Sequence, residues 1–255
     1  MSRASDPTQR FSNRVDAYVR FRPSYPEALV ETLMVQADLS SASVIADMGS
    51  GTGISTELFL RHGFEVHAVE PNEAMRTAAE RRLGSNPGFH SVAGTAEATS
   101  LPSDGVDLVT AGQAFHWFDA ARARREFARI LRAPGFVALF WNSRHSDTTP
   151  FLRAYEDLLH AYGTDYGRIN HRNIDPAQLR RFLPGSYQYF SFPNEQIFDF
   201  AGLEGRLLSS SYAPGPHHLR HEPMMKQLSR IFEEHQEGGN VRFLYTTELH
   251  VGRLR

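Results

Sequence analysis

The chain has 255 residues, 41% of them hydrophobic and 22% charged, with a formal net charge of −2. That is enough chain for a sizeable core, and the charge provides no bulk drive toward nucleic acid or an anionic membrane. It contains no cysteine, which excludes disulfides, thiolate metal sites and cysteine nucleophiles.

The first ten residues are polar and carry no signal-peptide core, and no apolar run approaches the roughly 18 residues of a membrane span. The expectation is a cytoplasmic protein. Residues 12–38 read as two helical pieces interrupted at Pro23 and Pro26, since proline and the residue before it disfavour helix. Val44–Met48 reads as a buried strand, followed by a turn with Gly49, Gly51 and Gly53 at alternate positions and then a helix start. Glycine tolerates positive φ and close backbone approach, and the helix start aims N–H groups and a positive dipole end at the same spot. Such a loop is a binding place. A dinucleotide fingerprint needs a third glycine where Ile54 stands. The run is instead D-x-G-x-G-x-G, with Asp47 two residues ahead of the first glycine.

Phe64–Glu70 is a second apolar strand ending in an acid. An acid at that strand tip can accept hydrogen bonds from ribose hydroxyls, and Glu70 lies about twenty residues past the loop, the spacing for that role. Pro71 to Met75 opens a helix on which Met75 either faces an adenine ring or packs as a core residue. Val92 to Pro102 holds Thr95, Ala96 and Glu97, the last read as a helix-start acid, and leads into a fourth strand over 105–111. After Gln113-Ala114-Phe115-His116-Trp117-Phe118-Asp119, Ala120–Leu131 is an amphipathic helix whose arginines form a solvated face. Ala133-Pro134-Gly135 closes it, and Phe136–Trp141 is the fifth strand.

Beyond Ser143 the pattern turns irregular around one clear helix, Pro150–Tyr162. A strand (Tyr187–Phe192), a helix (Phe200–Ser209), a loop over 213–218, a helix over 224–236 and a strand (Val241–Val251) complete the chain. The alternation between Val44 and Asn142 argues for a parallel sheet with helices on both faces. His217, His218 and His221 lack a helical context and a matching carboxylate, so no metal site is expected.

Four segments together resemble the class I S-adenosylmethionine-dependent methyltransferases, in the methyltransferase type 11 family. They are the Asp47–Gly53 run, the Glu70 strand tip, Gly94-Thr95-Ala96-Glu97 with its following strand, and Gln113–Asp119. The last is similar to a segment of the trans-aconitate methyltransferase subgroup. The resemblance implies an α/β fold with a Rossmann-like, seven-stranded, mostly parallel sheet in the order 3-2-1-4-5-7-6, strand 7 antiparallel, and a helical lid. It implies one domain over 1–255, with a core over about 40–145 and 185–255 and lid segments over about 12–38, 143–184 and 206–222.

The implied cofactor is S-adenosyl-L-methionine. Its expected contacts are Asp47, Gly49, Ser50, Gly51, Gly53, Glu70, Pro71, Met75, Thr95, Ala96 and Gln113, with Tyr18 and Arg22 from the N-terminal segment. Thr95 stands where the family usually has an aspartate for the adenine amino group. Arg22 either pairs with the cofactor carboxylate or makes a structural ion pair. Tyr25, His116, Trp117, Trp141 and Asn142 are expected on the acceptor side. His116 is either a general base or, preferred, packs with Trp117 to shape the pocket. The implied reaction is methyl transfer to a small molecule, at a carboxylate or hydroxyl oxygen. The alternatives are a protein of this fold that binds cofactor without turnover, or an NAD-dependent oxidoreductase, against which the glycine spacing argues. No N-P-P-[YF] or D-P-P-Y follows strand four, and no nucleic-acid or membrane partner is expected. The sequence does not reveal an oligomeric state.

Overall fold

The computed structural model describes residues 19–164, 166, 176–183, 185 and 187–254. Tyr18 and the polar first ten residues lie outside the described residues.

Seven strands form one sheet in the order β3-β2-β1-β4-β5-β7-β6. They are β1 (Val44–Met48), β2 (Glu65–Val69), β3 (Phe89–Val92), β4 (Val106–Gly112), β5 (Leu131–Arg144), β6 (Gln188–Phe198) and β7 (Val241–Arg253). The pairs from β3 to β5 are parallel, while β7 runs antiparallel to both β5 and β6. The central strands read as continuous apolar runs because both faces are covered: Ile45, Ala46, Met48, Leu108 and Val109 are all fully buried. One face packs against Ala123, Phe127 and Ile130 of α4 (Ala120–Ile130). The other packs against Leu29, Val30 and Leu33 of α1 (Glu27–Gln36) and Leu58 and Phe59 of α2 (Ile54–Arg61).

The remaining helices are α3 (Glu73–Leu83), α5 (Pro150–Tyr162), α6 (Pro176–Phe182), α7 (Phe200–Leu208) and α8 (His221–His235). Caps set several starts. Asn72 accepts the Met75 N–H at α3, and Thr149 accepts the Leu152 N–H at α5 with Pro150 in the first turn. Ile130, not Leu131, ends α4, and Leu131 already has the extended backbone of β5. β6 runs six residues past the expected Phe192, to Phe198.

A third apolar cluster joins α5, α7 and α8 to Val241, Phe243 and Tyr245 of β7. It exists because β7 outruns β5: Val241 to Leu244 pair only with β6, leaving a ribbon that the helices cover. The α7 and α8 segments, read largely as core in the sequence, therefore build a layer beyond the central sheet. The N-terminal segment is strapped to this layer. Phe21 fills the space over Gly205, where a Cβ would stand 2.2 Å from its ring. Arg22 donates to the Ser209 carbonyl and Gln196 donates to the Phe21 carbonyl. Among the described residues no helix is long and apolar enough to cross a membrane.

Candidate active site

A cavity of about 620 Å³ opens at the carboxyl ends of β1, β2, β4 and β5, the usual ligand position in an open α/β sheet. The glycine loop forms its floor. Gly49, Gly51 and Gly53 have φ of 65°, 58° and 83°, conformations that favour glycine. Their surroundings differ. A Cβ on Gly49 would stand 2.7 Å from the Ala114 Cβ, and one on Gly53 would stand 2.6 Å from Leu83 Cδ1, whereas Gly51 has nothing within 4 Å. Gly49 and Gly53 are fixed by packing, while Gly51 faces open space. Gly51→Ala is expected to cost about 1–2 kcal/mol, the left-handed backbone penalty alone. Gly49→Ala is expected to cost more because the clash adds to it. Thermal unfolding of the two variants checks the order.

Asp47 organises this loop from behind. Fully buried, it accepts hydrogen bonds from Ser55 Oγ at 2.7 Å, Thr56 Oγ1 at 2.7 Å and Thr110 Oγ1 at 3.0 Å. Burial pushes its carboxyl above the usual range while the three hydroxyls pull it down. Asp47 thereby ties β1 to α2 and to β4, but it does not line the cavity. Gly53 also lies behind the wall, its carbonyl accepting from Arg82. Both residues thus stand one layer behind the cavity wall, held there by the first turn of α2 and its packing on α3.

Glu70 is buried at the end of β2 and lines the cavity. Oε2 accepts the Gly51 N–H at 2.9 Å and Oε1 the Asn72 N–H at 2.8 Å. Burial raises its pKa, and those two backbone bonds oppose the rise. Each oxygen keeps a lone pair for a ligand hydroxyl. Ser50 Oγ and Thr52 Oγ1, on the same loop, are buried with no hydrogen-bond partner among the described residues. Buried hydroxyls are normally satisfied, so both fit a polar ligand lying across the loop.

Met75 packs with Ala78 and lines the cavity. Pro71, Thr95 and Ala96 line it too. Thr95 and Ala98 exchange backbone hydrogen bonds in a tight turn. No helix begins there, and Glu97 accepts the Asp119 N–H at 2.8 Å. Gln113, at the tip of β4, holds a φ of 57°, unusual for a residue with a side chain and typical of positions held strained by their surroundings. Its Nε2 donates to the Asn142 carbonyl at 3.1 Å.

Across the cavity, Tyr25 stands edge-on to Phe140 at 4.7 Å. Asn142 donates to the Ser24 carbonyl at 3.0 Å and accepts from Thr247 at 2.6 Å, pinning the N-terminal strap to β5 and β7. His116 lies 4.7 Å from Trp117, ring centre to ring centre, in a short 3₁₀ turn after β4. The His116 side chain lines the cavity and is exposed at its mouth, and partial desolvation by the neighbouring protein lowers its pKa to about 4. Arg22 and Trp141 complete the set of expected residues that line the space.

The sequence reading missed the far wall: Arg144 and Tyr245 on β5 and β7, Glu156 and His160 on α5, Tyr166, and Arg206 on α7 with the following Tyr212. Their spacing carries no motif, and only the packing of α5 and α7 on the β6–β7 ribbon brings them together. The histidine-rich loop makes internal bonds instead, with Nδ1 of His218 accepting the Arg220 N–H. Among the described residues no cluster of three potential metal ligands occurs.

Residues 46–139 match a family model described as a methyltransferase domain. An uncharacterised methyltransferase of Mycobacterium tuberculosis is 35% identical over 179 residues, covering 70% of this chain and 66% of that protein. An uncharacterised methyltransferase-like protein of Schizosaccharomyces pombe is 31% identical over 156 residues, 61% of this chain and 59% of its own length. The matched segments thus span 66% and 59% of the length of these two relatives. A solved structure of a proposed type II methyltransferase from Anaeromyxobacter dehalogenans superposes with a TM-score of 0.67 at 24% identity, covering 92% of this chain and 98% of that one. At that identity the likeness is one of fold.

Proposed function

We propose that this chain, which belongs to the class I S-adenosylmethionine-dependent methyltransferases, transfers a methyl group from that cofactor to an oxygen of a small acceptor. The observation that carries the reading is the convergence on one cavity of the open Gly51 backbone, the Glu70 carboxylate and the unpartnered Ser50 and Thr52 hydroxyls. These groups fit the polar parts of S-adenosylmethionine, with Glu70 accepting from the ribose hydroxyls and Met75, Thr95 and Ala96 bounding the adenine. When bound, the cofactor supplies an electrophilic methyl on a sulfonium. A cavity of about 620 Å³ is of small-molecule size, which supports a small acceptor rather than a nucleic acid.

The preference for a carboxylate oxygen follows the resemblance of Gln113–Asp119 to the trans-aconitate methyltransferase subgroup, and His116 agrees with it. With its pKa lowered to about 4, the ring is neutral at working pH yet a weak base, poorly matched to deprotonating a hydroxyl or phenol. A carboxylate is ionised at neutral pH and needs no base. The role left for His116 is shaping the acceptor pocket with Trp117. His116→Phe is therefore expected to retain kcat within about tenfold, and the pH–kcat profile to show no His116 inflection between about pH 6 and 9. A loss of about 10²–10⁴-fold would restore it as the base.

The test of the whole reading is calorimetric titration with S-adenosylhomocysteine, with NAD as control, followed by transfer of labelled methyl to a panel of small acids and phenols. Binding of S-adenosylhomocysteine alone and labelling of an acid are the expected results. Binding without transfer to any acceptor would favour a protein that holds the cofactor without turnover.

A further inference from the structure

We propose that the far wall of the cavity is a carboxylate-recognition site, in which Arg206 holds a carboxylate borne by the methyl acceptor. This rests on the methyltransferase reading above and names the acceptor's chemical class.

The far wall carries a charge imbalance. Arg206 is 5% exposed and lines the cavity. Its Nη1 donates to Ser210 Oγ at 3.2 Å, its Nε makes a long contact of 3.4 Å to Tyr245 Oη, and its guanidinium lies 5.8 Å from the Phe243 ring centre. Among the described residues no carboxylate pairs with it. Arg144, on the same wall, is different. Its Nη2 pairs with Glu156 and donates to Tyr166 Oη at 3.1 Å, so among the described residues lining this wall the one carboxylate is engaged by Arg144. A buried cation is costly unless paired, and the surplus positive charge here faces a cavity. Around it, among the described residues, only the hydroxyl oxygens of Ser210 and Tyr245 accept its hydrogen bonds, and the rest of its surroundings are aromatic. Tyr245 is oriented by donating to Gln196 at 2.9 Å, and Tyr155 Oη is buried with no partner among the described residues. A guanidinium with donor positions left over at a cavity wall matches the planar acceptor pattern of a carboxylate.

Position separates this site from the cofactor half. Arg206 packs on Phe243 and Tyr245 of β7, and Tyr245 pairs with Arg144 at the far end of β5. The glycine loop and Glu70 follow β1 and β2, on the other side of β4 and β5 in the sheet order.

The test is equilibrium binding of benzoate against benzamide, and of succinate against succinamide, to protein saturated with S-adenosylhomocysteine. The carboxylates are expected to bind about 10- to 100-fold more tightly than the amides. Arg206→Gln should erase that preference while leaving S-adenosylhomocysteine affinity within about threefold, and Arg206→Lys should keep part of it. Equal affinity for carboxylate and amide in the wild type, or no carboxylate binding at all, overturns the proposal and needs no variant to fold. A preference that survives in Arg206→Gln also overturns it. If that variant instead weakens S-adenosylhomocysteine while the preference persists, Arg206 meets the cofactor's own carboxylate. Failure of the wild type to bind S-adenosylhomocysteine overturns the cofactor reading itself, and carboxylate titrations without it separate the two failures.

Discussion

Glu70→Ala is expected to weaken S-adenosylhomocysteine binding by about 100-fold or more. Two effects combine. In the proposed cofactor placement the carboxylate is the charged acceptor for the ribose hydroxyls, and charge-assisted hydrogen bonds are about twice as strong as neutral ones. It also accepts the Gly51 and Asn72 N–H groups, so its removal frees the loop backbone that bounds the ligand. Glu70→Gln separates the contributions. The amide keeps one acceptor but turns two donors toward the Gly51 or Asn72 N–H, so it should recover only part of the affinity. Calorimetry on both variants, with thermal unfolding to confirm the fold, checks the result. Unchanged affinity in Glu70→Ala would sink the assigned cofactor half of the cavity.

Asp47→Ala is expected to act through stability first, costing about 2–4 kcal/mol. The substitution leaves the hydroxyls of Ser55, Thr56 and Thr110 in a site that water does not reach. Relief of the desolvated charge offsets part of that loss, since burial disfavours the ionised carboxyl. Because Asp47 stands behind the loop rather than in the cavity, S-adenosylhomocysteine affinity should fall less than in Glu70→Ala. Asp47→Asn should sit between wild type and alanine in denaturation midpoint. Denaturant unfolding with unchanged slope, alongside calorimetry, distinguishes this order from a direct ligand role. A variant as stable as wild type that had lost all binding would return Asp47 to the ligand's first contacts.

The contrast between these two acids marks where sequence reading runs out. Asp47 stands just ahead of the glycines and Glu70 just after the next strand, and the one-dimensional pattern places both among the cofactor contacts. Depth decides between them. Asp47 points into the angle between α2 and β4, and three hydroxyls from those elements close over it. Glu70 ends the neighbouring strand, where no further layer covers it. Gly51 and Gly53 divide in the same way: both have positive φ, yet only Gly51 has empty space above it.

The sequence by itself determined the alternation of strands and helices and the position of the glycine loop, through local patterns: apolar runs of strand length, glycines where backbone needs positive φ, and an acid at a strand tip. The strand order came only with the resemblance to a known family. The sequence also placed Gln113, His116, Trp141 and Asn142 near the ends of β4 and β5, because a strand end fixes its following residues within a few ångströms. The tertiary structure alone decided the opposite wall. Arg144, Glu156, Tyr166, Arg206 and Tyr245 are scattered over a hundred residues and share no spacing. They meet because β7 outruns β5 and the helices α5 and α7 must bury the exposed ribbon. Burial of apolar surface, which is non-directional and leaves no local motif, is what gathers those charges around the cavity.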